Sequence, residues 1–271
     1  MTRIYTFVNQ KGGVGKTTSA INLGAYFAIY GQKVLIIDLD PQANASSSLG
    51  IDKTQVKNGT YEVLIGNTPP AAAILYHKLF HLSILPSSPA LAGAEVELLD
   101  MTQREFRLKE TLEQISAGYD YLLIDCPPSL SILTVNGLVA AKDGVLIPVQ
   151  CEYLALEGIG QLTLTIKRVQ SALFPDLKVR GVLLTMYDGR TTLAADVVNE
   201  VRKYFQAQVF STIIPRSIRL AEAPSYGKPI AFYSPSSAGA RCYSALAREI
   251  LTQDGIQVPA ETQPEVKEHG T

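Results

Sequence analysis

Tryptophan is absent from these 271 residues, and cysteine, methionine and histidine occur three times each. Cys126, Cys151 and Cys242 are too few and too scattered for a disulfide framework, and no pair has CxxC spacing. They read as small buried hydrophobes in a reducing compartment. His77, His81 and His269 lack metal-ligand spacing. No apolar run approaches the roughly 20 residues of a membrane span. The N-terminus passes straight into a strand pattern, without the charged and apolar regions of a secretory leader. The expected location is the cytoplasm. Excess charge is lacking as well: 24 Lys+Arg stand against 25 Asp+Glu, a net −1. That excludes a protein that coats nucleic acid through overall positive charge, but not one with a local basic face.

What is present is a chain able to bury a core, with 46% apolar residues. Short apolar runs alternate with longer helical patterns. Strands are expected at Ile4 to Val8, Lys33 to Asp38, Leu82 to Leu85, Tyr121 to Asp125, Gly144 to Val149, Arg180 to Met186 and Val209 to Ile214. Helices are expected at Thr17 to Tyr30, Arg104 to Ser116, Ile159 to Leu173, Leu193 to Phe205 and Ala238 to Leu251. Continuous apolar strands interleaved with helices predict an α/β fold, a mostly parallel twisted sheet with helices on both faces. No repeat or Pro/Gly-rich linker divides residues 1–253, so they are read as one domain. Residues 254–271, polar and aperiodic, are read as a flexible tail.

Between the first strand and the first helix lies Asn9-Gln-Lys-Gly-Gly-Val-Gly-Lys-Thr-Thr18. A phosphate-binding loop requires that context. Gly12, Gly13 and Gly15 let the backbone, with Val14, turn successive N–H groups toward phosphates, and the helix N-terminus adds its positive end. Lys16 can reach the β- and γ-phosphates, the Thr17 hydroxyl can ligate Mg²⁺, and Thr18 continues the loop into the helix. The match to the general G-x-x-x-x-G-K-S/T pattern is imperfect, because its first glycine falls on Gln10 and a second lysine, Lys11, precedes Gly12. Two strands end in carboxylates. Asp38-Leu-Asp-Pro-Gln42 follows the second strand, and Tyr121-Leu-Leu-Ile-Asp125 is a Walker B pattern whose Asp125 would hold Mg²⁺ through water.

Lys11-Gly-Gly-Val-Gly-Lys-Thr17 resembles the deviant Walker A loop of the ParA/MinD group of P-loop ATPases, in which the early lysine is the signature. The resemblance implies ATP and Mg²⁺ as cofactors and a sandwich homodimer in which Lys11 reaches the partner's phosphates, a second cation against the charge developed in hydrolysis. It implies that Asp40 positions or activates the attacking water and that Gln42 orders the surrounding loop. Cys126-Pro-Pro-Ser129 resembles the γ-phosphate-sensing switch of that group.

Within the group, the three cysteines offer no convincing pair of iron–sulfur ligands, and no tyrosine follows Tyr243 to form a C-terminal tyrosine cluster. The acidic, apolar-poor tail does not resemble the membrane-docking helix of MinD-type proteins, although a MinD-like positioning ATPase acting on another cargo or membrane site stays open as an alternative. Residues 185–193 and 214–230 resemble the ParA/Soj subfamily. That resemblance implies non-specific double-stranded DNA and a ParB-type centromere-binding protein as partners, a nucleoid-associated location, and a role in chromosome or plasmid partition. The matched DNA-contact positions are Arg190 and Arg219, with Lys203, Arg216 and Lys228 as additions. Arg216 fits the nucleotide pocket as an alternative, and Met186 and Pro215 would flank the adenine. The charge distribution agrees: residues 178–248 hold ten Lys/Arg and four Asp/Glu, whereas residues 249–271 hold one against five. Phosphate contacts from such a segment are sequence-blind and salt-sensitive.

Overall fold

The structure, a computed structural model, describes residues 1–152 and 155–258. Its strands are β1 (Arg3–Phe7), β2 (Val34–Asp38), β3 (Leu75–His77), β4 (Leu82–Leu85), β5 (Tyr121–Asp125), β6 (Gly144–Gln150), β7 (Val179–Tyr187) and β8 (Val209–Pro215). Its helices are α1 (Lys16–Ile29), α2 (Asn44–Ser48), α3 (Thr60–Leu64), α4 (Pro70–Ala73), α5 (Leu91–Glu97), α6 (Arg107–Glu113), α7 (Ile132–Ala140), α8 (Ala155–Ala172), α9 (Thr192–Phe205), α10 (Ile218–Glu222), α11 (Ile230–Tyr233) and α12 (Ala238–Gln253). The eight strands form one sheet in the order β3-β4-β2-β5-β1-β6-β7-β8. Every pairing is parallel except β3 with β4.

The two-residue period of a strand sorts its side chains into two layers. On β1, Tyr5 and Phe7 pack with α1, α11 and α12, while Ile4 packs with α3, α5, α6 and α7. On β5, Tyr121 and Leu123 take the first face and Leu122 and Ile124 the second. Beyond β1, residues of β6 and β7 bury Val145, Ile147, Val182 and Leu184 against α7, α8 and α9. On α9, buried Ala194, Val197, Val198, Val201 and Phe205 repeat at helical spacing, and the Thr191 hydroxyl caps the start by accepting from the Ala194 N–H. Burial on both faces explains why the strands read as unbroken apolar runs.

The sequence reading missed the short helices α2, α3, α4, α5, α10 and α11, which at four to seven residues are too brief to show a helical period, and it also missed β3 and α7. β3 is a three-residue antiparallel edge strand with two exposed residues, too short and too polar-facing to show a period. α7 is apolar nearly all round because it is buried nearly all round, so it lacks the polar face that marks a helix. The helix expected from Arg104 to Ser116 is confined to α6. Its start is fixed from outside the segment: the buried Asn136 of α7 accepts from the Leu108 N–H at 3.0 Å and donates to the Arg104 carbonyl at 2.8 Å.

The first residues of the segment expected as a tail from residue 254 pack on the domain. The Asp254 carboxylate, 2% exposed, pairs with Arg180 at 2.9 Å and accepts from Tyr5 at 2.8 Å and Tyr121 at 3.0 Å. Ile256 and Val258 pack against the core. Residues 259–271 lie outside the described residues.

Candidate functional site

Register brings the carboxyl ends of β1, β2 and β5 side by side, with Phe7 and Asp38 each opposite Asp125. The loop after β1 therefore leaves the sheet beside both acidic strand ends, where open α/β sheets bind ligands. Gly13 (φ 74°) and Gly15 (φ 91°) adopt the left-handed conformation that lets the loop turn into α1. Three side-chain contacts hold it. Asn9 accepts from the Lys11 N–H at 3.0 Å and donates to the Pro148 carbonyl of β6 at 2.7 Å, and Thr185 of β7 donates to the Val14 carbonyl at 2.8 Å. Asn9 and Thr185 carried no sequence signal of this role beyond their position at strand ends.

Inside the loop, the Lys16 side chain lies back along the chain and donates to the Lys11 carbonyl at 3.3 Å. Lys16 is only 7% exposed. Burial lowers its pKa, and Asp125, Cys126 and Asp40 oppose that shift. The Thr17 hydroxyl donates to Asp125 Oδ2 at 2.7 Å. Asp125 is fully buried, and its Oδ1 has no hydrogen-bond partner among the described residues. Burial and the nearby Asp38 push its pKa up, while the Thr17 hydroxyl and the Lys16 ammonium hold it down. A hydroxyl, a carboxylate with an unpaired oxygen and a lysine at a helix N-terminus form the donor set that a divalent cation with a polyphosphate requires. The residues present fit Mg²⁺ and a nucleotide. Pro128, from the loop after β5, lies against this loop at Gly12. Burial pushes the neighbouring Cys126 thiol well up, which removes it as a nucleophile.

The two aspartates after β2 differ. Asp38 is fully buried and accepts from Ser46 N–H (2.8 Å), the Ser46 hydroxyl (2.7 Å) and the Asp40 N–H (3.2 Å). Burial pushes its pKa up to about 6 against those bonds. Asp40 is 6% exposed and accepts from the Gln42 N–H at 2.9 Å. Gln42 thus orders this turn through its backbone, its side chain being exposed.

A cleft beside the loop is lined by Gly15, Thr18, Thr185, Met186, Pro215 and Arg216, among others. Met186, Pro215 and Thr18 therefore line the same cleft. Met186 holds φ 52°, a conformation that costs a residue with a side chain about 1–3 kcal/mol. Arg216 lines the cleft and also pairs with Glu152 at 2.7 Å, bridging the ends of β6 and β8.

The predicted basic residues are divided. Arg190 follows β7, and Arg216 and Arg219 follow β8; the Arg216 N–H donates to the Tyr187 carbonyl at 2.9 Å, joining the two strand ends. Lys203 sits near the far end of α9, about 16 Å from its start by helical rise. Lys228, in the loop before α11, is exposed. Four of the five cations already have a carboxylate: Arg190 with Asp188 (2.6 Å), Arg219 with Glu222 (2.9 Å), Lys203 with Glu200 (2.5 Å) and Arg216 with Glu152. Asp188, Glu200 and Glu222 are among the four acids already counted in residues 178–248, so only Glu152 lowers the local charge excess below the sequence count.

Comparisons with known proteins agree with this geometry. A family model described as an AAA domain matches residues 2–179. The chain is 51% identical over 257 residues to the chromosome partitioning protein ParA of Myxococcus xanthus, covering 95% of this chain and 90% of that one. It is 51% identical over 250 residues to the sporulation initiation inhibitor protein Soj of Bacillus subtilis, covering 92% and 98%. Among solved structures, the ADP- and magnesium-bound cobyrinic acid a,c-diamide synthase of Mycobacterium smegmatis superposes with a TM-score of 0.82 at 39% identity, covering 97% and 100%. The septum site-determining protein MinD of Pyrococcus horikoshii, with Mg-ADP, superposes with a TM-score of 0.76 at 27% identity, covering 94% and 98%. The sheet order, the loop after β1 and relatives sharing half of its residues place this chain in the ParA/Soj family of chromosome-partitioning ATPases.

Proposed function

We propose that this ATPase is a DNA-partition switch that binds ATP with Mg²⁺, closes into a sandwich homodimer, and in that state holds non-specific DNA. The observation that carries the reading is the Lys16–Thr17–Asp125 cluster at the N-terminus of α1. Lys16 would hold the β- and γ-phosphates, Thr17 and Asp125 the metal, and Lys11 the phosphates of the second protomer. Backbone N–H groups of Gly12 to Thr18 would line the phosphates. Met186 and Pro215 would flank the adenine. Asp40 would orient the attacking water. Closure doubles the number of basic side chains offered to one DNA, and affinity is steep in that number. A ParB-type partner would stimulate hydrolysis and release the DNA, in a cytoplasmic, nucleoid-associated cycle.

ATP-dependent retention of double-stranded DNA tests the assignment. Replacing both Arg190 and Arg219 by alanine is expected to weaken retention by about tenfold or more and to flatten its dependence on salt, because phosphate contacts release counterions. Lys203→Ala, at the other end of α9, is expected to change retention less. Wild-type binding by the double variant would remove these arginines from the DNA surface. Asp40→Ala is expected to keep ATP and DNA bound while losing turnover. Rapid phosphate release by that variant would exclude Asp40 from the chemistry.

A further inference from the structure

Asp40 sits in a loop, and a loop does not by itself hold a carboxylate to the tolerance that water activation demands. Its immediate bonds are short-range: the Asp40 carbonyl accepts from Ala43 N–H and its carboxylate from Gln42 N–H. Around that turn the hydrogen bonds run in a closed circuit through three separate segments. The Asp40 N–H donates to Asp38 Oδ1 (3.2 Å), and Asp38 Oδ2 accepts the Ser46 hydroxyl of α2 (2.7 Å). Ser46 Oγ in turn accepts the N–H of Ser87, in the loop after β4 (2.9 Å), and the Ser87 hydroxyl donates back to the Asp40 carbonyl (2.8 Å). Ser46, Ser87 and Asp38 are fully buried.

Each hydroxyl in the circuit has its direction set. The carboxylate of Asp38 can only accept, so the Ser46 proton points to it and a lone pair is left for Ser87. The Ser87 N–H takes that lone pair, and the Ser87 hydroxyl, facing only carbonyl acceptors, donates to that of Asp40 at 2.8 Å in preference to that of its neighbour Ser88 at 3.5 Å. A water-exchanged turn would offer no such order. We infer that Ser46 and Ser87 are positioning residues for hydrolysis, fixing the Asp40 backbone from both sides through the buried Asp38. This inference rests on the assignment of Asp40 to water activation.

Ser87→Ala is the cleanest probe, because it deletes the grip on Asp40 and keeps the Ser87 N–H that satisfies Ser46. Steady-state phosphate release at saturating ATP, with DNA present, is expected to fall about tenfold or more. ATP affinity should stay unchanged, since Lys16, Thr17 and Asp125 are untouched, and Ser87→Thr, which keeps the hydroxyl, should restore the rate. In an Asp40→Ala background, Ser87→Ala should cause no further loss, whereas a merely structural serine would slow both backgrounds alike. Ser46→Ala serves as the second variant should Ser87→Ala not fold, with the same expected split between rate and affinity. Full turnover by a folded Ser87→Ala or Ser46→Ala protein overturns the inference, as does an equal loss in the Asp40→Ala background. If Asp40→Ala itself turns over normally, the assignment of Asp40 fails first, and that result is distinct from a silent Ser87→Ala beside an inactive Asp40→Ala.

Discussion

Lys16→Ala is expected to lower ATP hydrolysis by about 10²–10³-fold or more, the usual consequence of removing one preorganised charge from a site where negative charge develops. Lys16 is buried at the N-terminus of α1 beside Asp125 and Asp40, so its ammonium is held in a poorly solvated place where its interaction with phosphate is strong. Few other groups can take its place. The neighbouring Thr17 hydroxyl is uncharged and donates to Asp125. Lys16→Arg is not expected to rescue, because a planar guanidinium cannot follow the path that the ammonium takes back to the Lys11 carbonyl. Phosphate release and nucleotide binding measured together decide the matter. Turnover within about tenfold of the parent would remove Lys16 from the chemistry.

The second large effect lies at the opposite end of the same strands and concerns stability. Asp254→Ala is expected to cost about 3–5 kcal/mol, the range for removing one partner of a buried ion pair. Asp254 closes a cluster at the amino ends of β1, β5 and β7. Tyr5, Tyr121 and Arg180 all direct polar atoms at its carboxylate, and Arg3 reaches its carbonyl at 2.9 Å. Arg180 also lies over the Tyr5 and Phe210 rings. Deleting the carboxylate leaves a guanidinium and two phenols without their shared acceptor, and burial with Asp254 already raises the pKa of both phenols. Asp254→Asn keeps one acceptor oxygen and should cost less. Urea unfolding reads the difference directly as a shift in midpoint. A loss below about 1 kcal/mol for the alanine variant would show the cluster to be dispensable. Because β1 is about 17 Å long, the ATP site at its other end should bind nucleotide normally in the folded variant.

These two sites differ in how far they were legible. Asn9 to Thr18 is contiguous, and its chemistry is carried by backbone N–H groups, a lysine and a hydroxyl at neighbouring positions. Local spacing was enough to find it. Asp125 was legible because a buried strand ending in a carboxylate is unusual in sequence. Asp254 was misread as the start of a tail, because a single acid after a helix gives no hint of a guanidinium 74 residues earlier. The Asp38–Ser46–Ser87 circuit was hidden for a similar reason: Ser87 is 41 residues from Ser46, and a serine in a polar stretch looks like loop. The basic segment was legible as a charge count but not as a surface. Asp188 and Glu222 stand two and three residues from their arginines, whereas Glu152 meets Arg216 across 64 residues.

The sequence by itself determined the alternation of strand and helix, the phosphate loop, the two acidic strand ends and the membership of a partitioning ATPase family, because each is written in short-range pattern or in residue identity. The tertiary structure alone decided the sheet order, which sets β5 and β6 on either side of β1 and so delivers Asp125, Pro148 and Thr185 to the loop. It also decided which cations keep a carboxylate partner and which acid anchors the end of α12. The physical reason is common to all of these. Hydrogen bonds and ion pairs form between groups that packing brings within about 3 Å, and the packing of buried apolar strands carries no mark in the polar residues it brings together.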